Sequence, residues 1–246
     1  DDLTDKQADD AVPRCLDCSV SHGSKLSQNV FPATPGRAST GPRMGGMNIE
    51  ILLFDGFDEF DAMAPWEVFA GLAQVTDRVR ASFVTLDGAG PVRGDHGAVV
   101  MAHGALSERP DLLWVPGGGW LDRSPTGAWG LVQAGEVPRA IAAAHAAGTV
   151  VASVCTGALI LAAAGVLAGH RATTNPHALD DLRAFAGVTV LEARVVDDGD
   201  VVTGGAPACA LDVALHLVGR FVGPDIAAAA ARELQYVVPA VDAFVG

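Results

Sequence analysis

The run Val150 to Gly169, VVASVCTGALILAAAGVLAG, carries no charged residue and is about as long as the apolar core of a bilayer demands of a helix. It must be buried in lipid or in protein, and which of the two decides the class of the whole chain. Its first part is β-branched (Val150, Val151, Val154), its second part is rich in Ala and Leu, and Ser153, Thr156 and Gly157 stand at the change. No aromatic or basic belt flanks it. The reading is therefore a buried strand that turns into a buried helix ended by Gly169, with no membrane as a partner.

A strand that is apolar on both faces belongs in a parallel sheet covered by helices, and the rest of the sequence agrees. From Asn48 onward short β-rich runs alternate with helical ones. Ile49–Phe54, Ala81–Leu86, Leu112–Val115 and Val150–Val154 read as strands; Pro65–Leu72, Glu136–Ala147, Gly157–Leu167, Ala178–Phe185, Ala208–Phe221 and Asp225–Leu234 read as helices. Pro91–Met101, with Gly94-Asp95-His96-Gly97 between valines, predicts a hairpin, and Val188–Val202 predicts short strands around Asp198-Gly199-Asp200. The fold class is α/β with a mostly parallel sheet, and at 246 residues and 50% hydrophobic the chain has ample core.

Residues 1–47 differ: Ser, Pro, Asp and Lys dominate and no apolar period can be traced, so a disordered N-terminal extension is expected ahead of a domain over 48–246. It lacks the apolar segment of a secretory signal, and its aspartates argue against a transit peptide. Within it, Cys15, Cys18 and His22 could make half a zinc site or a redox pair, but four zinc ligands or a folded βα unit would be needed, and no function is assigned. The seven histidines are scattered without a ligand motif, so no metal is expected. A net charge of −13 with no basic patch disfavours nucleic acid. That charge and four sparse cysteines fit a reducing, cytoplasmic setting.

The strand-to-helix junction carries the chemistry. A sharp turn lifts Cys155 out of the sheet, as in a nucleophile elbow, with Gly157 making room for the helix that follows. At a helix N-terminus the free backbone N–H groups and the dipole favour an anion, which predicts a thiolate at neutral pH; an inert buried thiol is the equal alternative. Cys209, inside an apolar helix, is expected in the core. A nucleophile needs a proton-handling partner and donors for developing charge. In a parallel sheet both come from other loops at the carboxyl edge. After the first strand, Asp61 sits in apolar company, which would raise its pKa and suit it to proton transfer; an N-cap is the alternative. After the third, Pro116-Gly117-Gly118-Gly119 offers bare N–H groups or simply a flexible turn.

Together these segments resemble the ThiJ/PfpI superfamily. The residues concerned are Leu52-Leu53-Phe54, Phe60-Asp61 through Pro65-Trp66-Glu67-Val68, Val115-Pro116-Gly117-Gly118 and Ser153-Val154-Cys155-Thr156-Gly157, then Arg171-Ala172-Thr173-Thr174, Glu192 to Val196 and Thr203-Gly204-Gly205. The branch most similar is that of the isonitrile hydratases. The resemblance implies a flavodoxin-like three-layer sandwich of the class I glutamine amidotransferase type, a homodimer, a small-molecule substrate and no cofactor. It implies a catalytic set of Cys155, Asp61 and Thr156, with Gly117 and Gly118 as oxyanion donors and Asn175 and His177 at the substrate wall. The reaction implied is addition of water to an isonitrile, through a covalent thioimidate, to give an N-substituted formamide. Three departures stand out: Met63-Ala64 replaces Thr-Gly after the acid, Asn175-Pro176 replaces His-Trp, and Thr156 stands where peptidase-like members have His. Glyoxalase or deglycase action on 2-oxoaldehydes and a redox or ligand sensor using the same cysteine remain alternatives. A regulator with a following helix-turn-helix is not expected, because the chain stops soon after its last helix.

Overall fold

A computed structural model describes residues 46–239 and 244–246. The expected extension, with Cys15, Cys18 and His22, lies outside the described residues except at its end. Met47 is part of the domain, since its N–H donates to the Arg78 carbonyl at 2.7 Å and it opens the first strand.

In chain order the elements are β1 (Met47–Leu52), α1 (Glu59–Ala73), β2 (Val79–Thr85), β3 (Gly90–Arg93), β4 (Val99–Ala102), β5 (Gly104–Ala105) and β6 (Leu112–Val115). There follow α2 (Ala128–Ala134), α3 (Glu136–Ala146), β7 (Val150–Ser153), α4 (Gly157–Ala163), β8 (Arg171–Ala172) and a 3-10 turn over Pro176–Ala178. The chain continues through α5 (Leu179–Arg183), β9 (Thr189–Val190), β10 (Val195–Asp197), β11 (Val201–Gly204), α6 (Cys209–Phe221), α7 (Pro224–Glu233) and β12 (Phe244–Val245).

Eight strands form one sheet in the order β12-β10-β11-β7-β6-β1-β2-β5. Every neighbouring pair in it is parallel except β10 with β11. Helices pack in two groups, α1 with α6 and α7, and α2 with α3, α4 and α5, and so cover the two faces. This is the mostly parallel α/β sandwich expected, and the reason is visible in β6 and β7. Leu112, Leu113, Trp114, Val115, Val151 and Ala152 are fully buried, which only a sheet covered on both sides permits. The uncharged run becomes β7 and α4, with Leu159, Ile160 and Leu161 also fully buried, each worth about 1.5–3 kcal/mol in removal from water. Among the described residues no helix is long and apolar enough to cross a membrane.

The hairpin forms as β3 and β4, with Val92 opposite Val100. One boundary differs by a full turn and more: the helix expected to enter at Pro65 begins at Glu59, capped by Asp58, whose Oδ1 accepts the Phe60 N–H at 2.9 Å. Proline has no N–H to give the carbonyl four residues back, so it normally opens a helix. Here it is tolerated inside α1 because that carbonyl, on Asp61, finds another donor: Trp114 Nε1–H at 2.9 Å. The short helix α2 was not legible as a separate element, and α4 and α5 are shorter than their apolar runs suggest.

Candidate active site

The chain leaves β1 toward one neighbour, β2, and returns on the other side of β1 as β6. Loops after β1 and β6 therefore diverge at their carboxyl ends, and such a switch point is where open α/β sheets hold ligands. Asp61 follows β1, Gly117 and Gly118 follow β6, and Cys155 follows the adjacent β7.

Cys155 occupies a strained elbow. Its φ is +53°, a left-handed value that costs a non-glycine residue about 1–3 kcal/mol. Three contacts hold it there: its N–H donates to the Gly204 carbonyl (3.1 Å), its carbonyl accepts from Thr174 Oγ1 (2.8 Å), and its sulfur accepts from Asn175 Nδ2 (3.2 Å). Gly157 is required next to it, because a Cβ there would lie 2.3 Å from the Val115 carbonyl oxygen of β6.

Asp61 is completely buried in the first turn of α1, where Asp58 rather than Asp61 is the N-cap. Its Oδ2 accepts the Gly117 N–H at 2.8 Å, while Oδ1 is buried without a hydrogen-bond partner. Thr156 Oγ1 accepts the Gly118 N–H at 3.0 Å. Gly117 is the pivot of this packing: a Cβ on it would stand 2.6 Å from both Thr156 N and Oγ1 and 3.0 Å from Asp61 Oδ2.

The sequence profile of the DJ-1/PfpI family matches residues 47–220, the span that contains all of these groups. The chain belongs to the DJ-1/PfpI family. Among curated relatives it is 33% identical to an isonitrile hydratase of Pseudomonas putida over 77% of this chain and 78% of that protein. It is 32% identical to a deglycase of Pyrococcus abyssi over 65% of this chain and 91% of that one. A solved ThiJ/PfpI family protein from Pseudomonas syringae superposes with a TM-score of 0.70 at 25% identity, covering 84% of each chain.

Within this family member the electrostatics depart from expectation at the thiol. Burial, and after it the Asp58 charge, push the Asp61 carboxyl up to about 8, against the lowering effect of the Gly117 N–H and the Cys155 side chain. Burial first, then repulsion by Asp61, push the Cys155 thiol up to about 12, although Asn175 and the Thr156 N–H favour the anion. The expected resting thiolate is thus corrected. Cys155 is 5% exposed, and the N-terminus of a seven-residue helix does not offset the loss of water around sulfur. Both shifts favour the protonated forms, with one proton on sulfur and one on the carboxyl.

The expected oxyanion donors also differ. The Gly117 and Gly118 N–H groups do not face an open hole; they are engaged by Asp61 and Thr156 and hold those side chains in place. Asn175 reaches the sulfur, whereas His177 is exposed and its N–H donates to Asn175 Oδ1 at 2.9 Å, orienting that amide. Cys209 is buried in α6, as expected. Most of the acidic loop has fixed partners: Asp55 Oδ1 accepts the Arg93 N–H, and Glu59 clamps the hairpin through His96 and Ala98. Trp114 was not identified from sequence. The available signal was Pro65, four residues after Asp61, which announces a carbonyl in need of a donor.

Proposed function

We propose that this protein is a cysteine-dependent enzyme that hydrates isonitriles to N-substituted formamides, with Cys155 as nucleophile and Asp61 as the proton carrier. The observation that carries the reading is the fully buried carboxyl of Asp61, pushed up by that burial, beside a thiol on a strained elbow. An isonitrile carbon bears a lone pair and must gain a proton before it is attacked, so an acid poised near neutrality suits this substrate better than a resting thiolate does.

In the first step the Asp61 carboxyl gives its proton to the isonitrile carbon. Cys155 sulfur bonds to the same carbon while its own proton passes to the Asp61 carboxylate, leaving R–N=CH–S–Cys155. Asp61, once again protonated, then assists water across the C=N bond. Collapse of the adduct breaks the carbon–sulfur bond, returns a proton to sulfur and releases R–NH–CHO. The Thr156 N–H and the Asn175 amide orient the sulfur, and the Asn175 amide is the side-chain donor to the charge that develops there.

The 33% identity to the Pseudomonas putida isonitrile hydratase supports this reading, and the 32% identity to the Pyrococcus abyssi deglycase supports a second one, in which the same thiol adds to the carbonyl of a 2-oxoaldehyde. Parallel assays with an aryl isonitrile and with methylglyoxal, on wild type, Cys155→Ala and Asp61→Asn, separate them. Formamide production lost in both variants supports the hydratase; isonitrile turnover unchanged in both overturns it. A peroxide sensor is disfavoured, because oxidation begins from a thiolate and burial pushes the Cys155 thiol up to about 12. The reading includes a homodimer, supported by Phe60 (48% exposed) and Met63 (40% exposed), large apolar side chains left at the surface on either side of Asp61. Sedimentation of wild type against a Phe60→Glu/Met63→Glu variant tests it.

A further inference from the structure

At the opposite edge of the sheet, where β7 and β11 begin, three side chains distant in sequence converge. His145 comes from the last turn of α3, His170 from the loop ahead of β8, and Asp200 from the turn ahead of β11. One ligand atom from each lies within 4.8 Å of the other two. We propose that His145, His170 and Asp200 bind a divalent transition-metal ion of the zinc class.

The spacing is the first reason. Asp200 Oδ2 stands 3.8 Å from His145 Nε2, and Oδ1 stands 4.0 Å from His170 Nε2. Both are too long for hydrogen bonds. Where this protein makes true histidine–carboxylate pairs they close fully, at 2.7 Å for His96 with Glu59 and 2.7 Å for His216 with Asp197. Two ligands of one tetrahedral zinc, each about 2.0–2.1 Å from the ion, stand roughly 3.4 Å apart. Small rotations of the three side chains therefore close them on an ion.

The orientation of the rings is the second and independent reason. His145 Nδ1 lies 3.1 Å from the Thr149 carbonyl oxygen, and His170 Nδ1 lies 3.0 Å from Asp198 Oδ2. Both partners accept in this arrangement, so each ring carries its hydrogen on Nδ1 and, when neutral, points the Nε2 lone pair at the gap. A carbonyl or carboxylate behind each imidazole is the support that metal-binding histidines use.

Those supports are themselves braced. Asp198 Oδ1 accepts from Arg171 Nε at 2.7 Å, Thr149 Oγ1 donates to the Pro110 carbonyl at 2.7 Å, and the Asp200 carbonyl accepts the Val151 N–H at 2.9 Å. The two imidazoles are mostly buried while the Asp200 side chain is 58% exposed, which leaves a fourth position for water. The ion would tie α3, β8 and β11 together, about 15 Å from Cys155 along β7, and so apart from the chemistry proposed there.

The test uses the 246-residue chain with Cys15, Cys18 and Cys155 replaced by Ser, so that only Cys209, buried in α6, keeps a thiol. After chelator treatment it is titrated with zinc by calorimetry, and with cobalt(II) by visible absorption. One equivalent should bind, with the intense d–d bands of four-coordinate cobalt and no thiolate charge-transfer band. His145→Ala, His170→Ala and Asp200→Ala should each weaken binding at least about tenfold, and Asp198→Asn about ten- to a hundredfold through loss of its support. Asp200 is exposed, so Asp200→Ala keeps the fold if a histidine variant does not. Zinc binding absent from the parent, or equal in parent and Asp200→Ala, overturns the proposal.

Discussion

Replacing Asp61 by Asn deletes one titration from the folded protein, and the deletion has a calculable signature. Burial holds this carboxyl at about 8 in the native state, against about 3.9 in the unfolded chain. Below pH about 4 both states are protonated and the group costs nothing; from about 4 to about 8 only the unfolded chain releases the proton, so native stability falls by about 1.4 kcal/mol per pH unit. Between pH 5 and pH 7 the loss is about 3 kcal/mol. Cys155, raised to about 12, does not titrate in that window. The neutral amide of the Asp61→Asn variant would carry no such cost. That amide also meets the unpartnered position of Oδ1, but the penalty is the same at both pH values and cancels. Urea unfolding of wild type and Asp61→Asn at pH 5 and pH 7 should show the variant gaining about 3 kcal/mol relative to wild type between the two. A difference constant to within about 0.5 kcal/mol would refute a neutral buried carboxyl, and with it the acid role proposed for Asp61.

The same proton sets the rate profile: kcat/KM for isonitrile should fall as pH rises through about 8, where Asp61 loses its proton. Trp114→Phe leaves the Asp61 carbonyl buried and unbonded, costing about 1–3 kcal/mol in urea unfolding, and adding Pro65→Ala, which supplies the missing helical N–H, should recover part of that loss. Gly117→Ala drives a methyl into Thr156 and Asp61 and should lower kcat/KM by about a hundredfold; full activity would show that their placement is not critical. Iodoacetamide should modify Cys155 slowly at pH 7 and more slowly still in Asn175→Ala, as followed by intact mass, because the amide donor to sulfur is gone.

The class of fold and the position of the elbow were legible because they rest on local rules. An uncharged, two-faced apolar run ending at Cys155-Thr156-Gly157 can only be a buried strand passing into a helix, and glycine follows because the next backbone is too near for a Cβ. The proton state of the thiol was not legible. Sequence places Cys155 at a helix N-terminus, which favours an anion, but the opposing effects are burial and a carboxyl far away along the chain, both products of how β1, β6 and β7 lie side by side. Pro65 misled in the same way: it read as a helix start because its remedy, the Trp114 indole, sits on another strand.

The histidines make the division plainest. Spread along the chain they form no motif, and two of them with Asp200 become neighbours only where β7 and β11 start together. Sequence alone determined which segments must be buried and which residue types stand at each turn, since hydrophobicity and backbone sterics act over a few residues. Which charges repel, which donors are spent and which lone pairs converge was decided by the tertiary structure, because desolvation and short-range electrostatics depend on distance in space and not along the chain.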